Sequence, residues 1–208
     1  MRLPDIRKGE YEGLRSKITT DEWAPDYGPS EFMPTMGATA TGARSILVAY
    51  NVNLNTDDKG KANLIASKIR TSGAIVRDEQ GDIIRSDDGK PIRTPGIFEQ
   101  LQAAGWMYDE TTAQVSMNLL NYSVTGLHDV TDAIGKEASK IGLEAISSEL
   151  VGLVPLEAML KAGRHYYEGE NANESTLVRA AIDGLMLNRL DVFNAHSSII
   201  EWAIAEGV

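Results

Sequence analysis

Between residues 45 and 53 apolar and polar side chains alternate. Ile46, Val48, Tyr50 and Val52 fall on one side of an extended chain; Leu47, Ala49, Asn51 and Asn53 fall on the other. That period of two predicts a strand. In "NTDDKGKANLIASKIRTSG" the spacing lengthens to that of a helix. Leu64, Ile65 and Ile69 form its apolar stripe, Thr56 is the cap, Asp57 and Asp58 suit the first turn, and Gly73 is the stop. Residues 75–96 read as an exposed hairpin excursion with turns at Gln80-Gly81 and Asp88-Gly89. Two strands follow at 98–108 and 112–122. A second helix has Leu127, Val130, Ile134 and Ile141 inward and Gly142 at its end, and a last strand covers 143–151. The order β-α-β-β-α-β is the ferredoxin-like pattern, an α+β fold with the helices on one face of the sheet. C-terminal helices are added, one with Pro155 in its first turn and one capped by Asn173. Ahead of the sheet, 7–18 is a charged, peripheral helix and 19–43 a long loop rich in Pro, Gly and Thr. No internal repeat is apparent.

The same alternation assigns faces. In the third strand Val115, Met117 and Leu119 oppose Gln114, Ser116 and Asn118; in the fourth Ile146, Ser148 and Leu150 oppose Ala145, Ser147 and Glu149. With both helices on one side, the polar sides coincide. A water-facing sheet would normally be dotted with Lys, Arg and Glu, whereas this side is amide-rich and nearly uncharged, which suits hydrogen bonding to a polar ligand. Glu149 stands at the end of a core strand beside the oily "LVGLVPL", where an unpaired carboxylate is costly. The preceding loop offers Gly28, Gly37 and Gly42 for close backbone approach, Pro29 and Pro34 for stiffness, and Arg44 as the nearest fixed charge.

Composition narrows the rest. The 208 residues are 42% hydrophobic, lack cysteine and carry a net charge of −10, so disulfides and thiolate chemistry are excluded and nucleic acid is an unsuitable partner. No secretory signal or membrane span is visible, and a soluble cytoplasmic protein is expected. "GATATGARS" lacks the Lys-Ser/Thr ending of a phosphate loop, "SDDGK" lacks the ligand spacing of a calcium loop, and no metal site is expected. His128 reads as a partly packed surface residue, His165 as a helix C-terminal contact and His196 as a tail cap or surface group.

Three strings, "GPSEFMPTMGATATGARSILVAYNVNL", "AQVSMNLLNYSVTGLHDV" and "SSELVGLVPLEAML", closely resemble glutamate formimidoyltransferases in order and spacing. "RLPDIRKGEYEGL" and "SSIIEWAI" extend the likeness over nearly the whole chain, the 75–96 excursion excepted. The resemblance implies a cytosolic enzyme of histidine breakdown that moves a formimino group from N-formimino-L-glutamate to tetrahydrofolate. It also implies two α/β subdomains facing each other across a folate tunnel. It assigns the folate-binding segment to Gly28, Pro29, Ser30, Glu31, Phe32, Met33, Pro34, Thr35, Met36 and Gly37. Glu149 falls in the tunnel, at a position where some members carry glutamine, and is the catalytic candidate within this chain. Arg44, Asn51, Asn53, Gln114 and Asn118 are the candidates for orienting substrates.

The family's catalytic histidine sits in the first subdomain, in a His-Pro-Arg-Met-Gly-like run that none of the three histidines here matches. The expectation is a lead-in (1–20), a second-subdomain unit (21–155) and a helical tail (156–208). The histidine then comes from an N-terminal subdomain or a separate chain, and a homodimer is another way to cover the exposed face. The competing reading is a non-catalytic interaction or folate-binding module.

Overall fold

The computed structural model describes residues 3–207, with side chains from Asp5 onward; Met1, Arg2 and Val208, the outer ends of the lead-in and tail, lie outside it. The chain divides after Arg44 into two compact units.

The first unit holds α1 (Leu3–Ile6), a 3-10 turn at Arg7–Gly9, α2 (Glu10–Lys17) and a second 3-10 turn at Asp21–Trp23. Few apolar side chains are on hand to build a core, and aromatic contacts take its place. Trp23 packs on Gly9 so closely that a Cβ there would lie 2.7 Å from the ring, and Lys17 Nζ sits 4.7 Å from the Trp23 ring centre. Tyr11 pins the loop: its hydroxyl donates to the Pro34 carbonyl at 2.7 Å, and its ring meets Phe32 edge-on at 5.4 Å. Arg15 lies 5.1 Å over the same Phe32.

The second unit carries β1 (Val48–Leu54), α3 (Lys59–Ile69), β2 (Ala74–Ile75), β3 (Arg93–Thr94), β4 (Leu101–Met107), β5 (Ala113–Leu119), α4 (Leu127–Ser139) and β6 (Ala145–Leu150). The helices α5 (Leu156–Tyr166), α6 (Glu174–Gly184), α7 (Ala195–Ser198) and α8 (Ile200–Glu206) complete it. Four strands form one sheet in the order β4-β5-β1-β6, every neighbouring pair antiparallel. The fold is α+β as expected, and its β-α-β-β-α-β order is compatible with the ferredoxin-like arrangement. The helix α3 packs on β4 and β5, and α4 on β1 and β6. Val48, Tyr50, Val52, Leu54, Val115, Leu119, Leu127, Val130 and Ile134 are fully buried between them, each large aliphatic contributing about 1.5–3 kcal/mol relative to exposure. The Tyr50 hydroxyl is satisfied inside the core by Thr131 Oγ1 at 2.9 Å and the Leu185 carbonyl at 3.3 Å.

Local chemistry differs from expectation at several points. Asp58, not Thr56, caps α3, its Oδ1 accepting from the N–H groups of Gly60 and Lys61 at 2.8 and 3.3 Å; Thr56 Oγ1 instead accepts from Asp58 N–H. The buried stripe of α3 is Ala62, Ile65, Ala66 and Ile69, and Leu64, one position out of that i, i+3, i+4, i+7 set, is exposed. Pro155 is the N-cap of α5 and not within its first turn. Ser148 points into the core and donates to the Leu185 carbonyl, while Ile146 on the same side of the strand is exposed at its end.

The 75–96 excursion contains a repeat after all: Arg77–Ile84 and Arg85–Ile92 are two eight-residue copies, Arg opening and Ile closing each. Gly81 and Gly89 take φ of +89° and +77° at equivalent positions. Arg77 and Arg85 donate to the carbonyls of Gly81 and Gly89 at 2.7 and 2.8 Å. Val76, Ile84 and Ile92 close a ring of backbone bonds: Val76 N–H to Ile92 O, Ile84 N–H to Val76 O, and Ile92 N–H to Ile84 O.

The sheet's outer strand β4 is sealed. The N–H and carbonyl of Leu101 are both held by Thr71, the Ala103 carbonyl accepts from Arg70 at 3.3 Å, and Gly105 N–H donates to Asn63 Oδ1 at 3.4 Å. Edge groups tied off in this way are unavailable for pairing with another strand.

Candidate functional site

Register arranges the polar face in rows. Trp106, Gln114, Asn53 and Ser147 form one; Ala104, Ser116, Asn51 and Glu149 the next; Gln102, Asn118 and Ala49 the third. Directly opposed side chains on one face lie about 4.5–5.5 Å apart at Cβ, so each row is a line of touching groups. Within them, Asn51 Nδ2 donates to Glu149 Oε1 at 2.9 Å and Asn53 Nδ2 to Ser147 Oγ at 3.1 Å. The amide of Asn51 therefore fixes one oxygen of a half-buried carboxylate, leaving its other lone pairs to accept from a ligand.

Two acceptors on this face have no partner. Asn53 Oδ1 and Gln114 Oε1 are buried without a hydrogen bond, their residues 1% and 5% exposed, and the two residues oppose each other across β1 and β5. An unsatisfied buried acceptor costs about 1–3 kcal/mol. Two side by side are a standing demand for N–H or O–H donors.

Of the residues singled out from sequence, the structure brings Asn51, Asn53, Gln114, Asn118 and Glu149 onto this one face. Gly28, Pro29, Ser30, Glu31, Phe32, Met33, Pro34, Thr35, Met36 and Gly37 belong to the first unit, as does Arg44, its last residue. Most of that segment is exposed; Gly28 and Gly37 adopt φ of +92° and +62°, and the N–H groups of Met36 and Gly37 turn back to the Met33 carbonyl. Sequence reasoning missed Trp106 and Gln102. Their strand reads "LQAAGWM", and its small residues blur the alternation that places Gln102, Ala104 and Trp106 on the polar side. Trp106 is 60% exposed, and Lys59 Nζ stands 4.9 Å from its ring centre.

The histidines lie elsewhere. His128 is buried rather than partly packed at the surface, and its ring stacks on that of His165 at 4.6 Å. His165 Nε2 is 2.8 Å from Asp132 Oδ2, a side-chain bond in place of the helix-terminus contact expected for it, and Tyr166 donates to Asp132 Oδ1 at 3.0 Å. Burial pushes the His128 imidazole below its ordinary pKa, with Asp129 opposing and His165 and Lys161 adding to the shift. Burial, followed by the charge of Asp132, pushes the Tyr166 phenol up. His196 pairs with Glu206 at 2.5 Å beside Trp202. Open grooves of about 830 and 980 Å³ run along α6 with α8 and along α4; the amide face lines neither. Among the described residues no group of three or more His, Asp or Glu is placed to hold a metal ion, and no helix is long and apolar enough to cross a membrane.

Comparison with known proteins adds the family. Residues 49–205 match the formiminotransferase domain, and residues 1–44 match the N-terminal subdomain of the formiminotransferase domain. The break between the two matches coincides with the division of the structure after Arg44. The chain is 42% identical over 208 residues to a formimidoyltransferase-cyclodeaminase of Dictyostelium discoideum, covering 98% of this chain and 36% of that protein. It is equally similar, at 42%, to the Sus scrofa formimidoyltransferase-cyclodeaminase, covering 98% of this chain and 35% of the other. A glutamate formimidoyltransferase of Streptococcus pyogenes serotype M1 is 37% identical over 170 residues, 81% of this chain and 50% of that protein. The chain thus spans between about a third and a half of the length of these relatives. With three quarters of its residues under one family match and its amide-lined sheet inside that match, the chain belongs to the formiminotransferase domain family.

Proposed function

We propose that this chain supplies the amide-lined wall of a formimidoyltransferase site that passes a formimino group from N-formimino-L-glutamate to tetrahydrofolate in histidine degradation. The names of the relatives support the reaction. The observation that carries the site is the meeting of Asn51, Asn53, Gln114 and Glu149 on one face, with two acceptors unpaired. In the reaction a folate amine attacks the formimino carbon. A new C–N bond forms, the C–N bond to the glutamate nitrogen breaks, and a proton passes from the attacking to the departing nitrogen. Glu149, held by Asn51, accepts an N–H of the amidine-like group and stabilises the positive charge that grows there. Asn53, Gln114 and Asn118 fix the reactants so that nitrogen and carbon meet, and alignment of that kind contributes on the order of 7–11 kcal/mol. The loop from Gly28 to Gly37 grips the folate through backbone N–H groups, and Arg44 offsets substrate carboxylates. The proton carrier is a histidine from a preceding subdomain or a separate chain, as fits a chain half the length of the glutamate formimidoyltransferases it resembles. Such an enzyme works in the cytoplasm.

Calorimetric titration of the 208-residue chain with tetrahydrofolate tests the reading. Saturable binding is expected, weakened about tenfold by Asn51→Ala, which is about 1.4 kcal/mol. In single-turnover mixing the chain alone transfers little, and adding the histidine-bearing half restores transfer. A chain that shows no saturable folate binding, or that carries out full transfer unaided, overturns the proposal.

A further inference from the structure

The row that ends in Trp106 has a chemistry of its own. Its two central members, Gln114 and Asn53, present buried carbonyl oxygens without donors, and its outer member is a large aromatic left 60% exposed. An exposed indole on a sheet face is a hydrophobic liability unless something planar covers it. Lys59 stands over the ring at 4.9 Å, which restrains the indole and enriches the site in positive charge. The neighbouring row differs, for there Asn51 and Glu149 satisfy one another and offer a carboxylate. One row therefore asks for a flat ring edged with adjacent N–H donors, and the other for a cationic group.

We infer that Trp106, Gln114 and Asn53 form the ring-recognition subsite, reading the amino-pyrimidinone edge of the folate pterin, while Asn51 and Glu149 face the formimino group. The inference rests on the reading above and assigns Trp106 as a specificity residue. The pterin stacks against the indole, and its exocyclic amino group and adjacent ring N–H donate to Gln114 Oε1 and Asn53 Oδ1. Both carbonyls are acceptors only, so a pyrimidine edge lacking those hydrogens leaves them buried and unpaired, and discrimination follows from that penalty.

The test uses the 208-residue chain with tetrahydrofolate, its 2-desamino-2-methyl analogue and N-formimino-L-glutamate as separate titrants. The parent is expected to bind tetrahydrofolate at least tenfold more tightly than the analogue. Trp106→Ala weakens tetrahydrofolate about tenfold or more, Trp106→Phe restores most of the loss, and Gln114→Leu abolishes discrimination against the analogue. N-formimino-L-glutamate binding stays within twofold in all three variants. Tetrahydrofolate quenches the Trp106 emission in the parent, and that component disappears in Trp106→Phe, a signal a purely structural tryptophan would not give. If the parent binds tetrahydrofolate yet Trp106→Ala binds it equally, or the analogue binds as well as the natural ligand, the subsite is wrong while the folate reading stands. If the parent binds no folate, both fail.

Discussion

Gly105 is the point at which the fold and the candidate site can be pulled together. It sits in β4 between Ala104 and Trp106, facing α3 rather than the polar side. A Cβ built on it would lie 2.3 Å from the backbone nitrogen of Asn63, and 2.7 Å from that residue's Cα and Cβ. An ordinary contact needs about an ångström more, and the obstacle is helix backbone, which cannot rotate aside. Gly105→Ala must therefore separate α3 from β4 and stretch the Gly105 N–H bond to Asn63 Oδ1, already 3.4 Å long. Overpacking of this kind costs about 1–3 kcal/mol. The rigid obstacle puts this case near the upper end, which for a chain of this size lowers Tm by roughly 6–12 °C. The control is Gly135→Ala in α4, where an added Cβ meets nothing within 4 Å. There the gain in helix propensity should stabilise by about 0.5–1 kcal/mol. Urea and thermal melts followed by circular dichroism measure both. Opposite signs are required; a Gly105→Ala melt within a degree of the parent would refute the close approach of α3 to β4 and the placement of Trp106 that depends on it.

Two further outcomes follow from the core and from the histidine pair. Tyr50→Phe removes the bonds to Thr131 and Leu185 and should cost about 0.5–1.5 kcal/mol. In a double-mutant cycle Tyr50→Phe and Thr131→Val should couple, and strict additivity by urea denaturation would disprove the buried pair. His128 gives the pH dependence. Burial lowers its folded pKa below the unfolded value of 6.5, so on acidification the unfolded chain takes up the proton first. Its contribution is fully present above pH 6.5 and is lost as pH falls through the lowered folded value. Around it stand Asp129 and Asp132 of α4, and Lys161 and His165 of α5. Urea midpoints should fall between pH 7.5 and 5, and His128→Leu should flatten that fall; an unchanged slope in the variant would assign the effect to other groups.

Much of this protein is legible in its sequence because strand alternation and helix spacing are local rules. The period-two runs through Tyr50 and Val115 and the stripe of Leu127, Val130 and Ile134 placed the elements and the apolar side of the sheet. The same parity put Asn51, Gln114 and Glu149 on the other side, and long shared strings carried the family. What local rules do not contain is pairing across the chain. Which residues oppose which, and hence that Gln114 and Asn53 sit together unpaired beside Trp106, depends on strand register set over separations of sixty residues. The cap at Asp58, the outward turn of Leu64, the burial of His128 against His165 and the ring of Val76, Ile84 and Ile92 likewise arise from packing against distant segments. Periodicity names the face a side chain takes, and only the folded chain decides who its neighbours are.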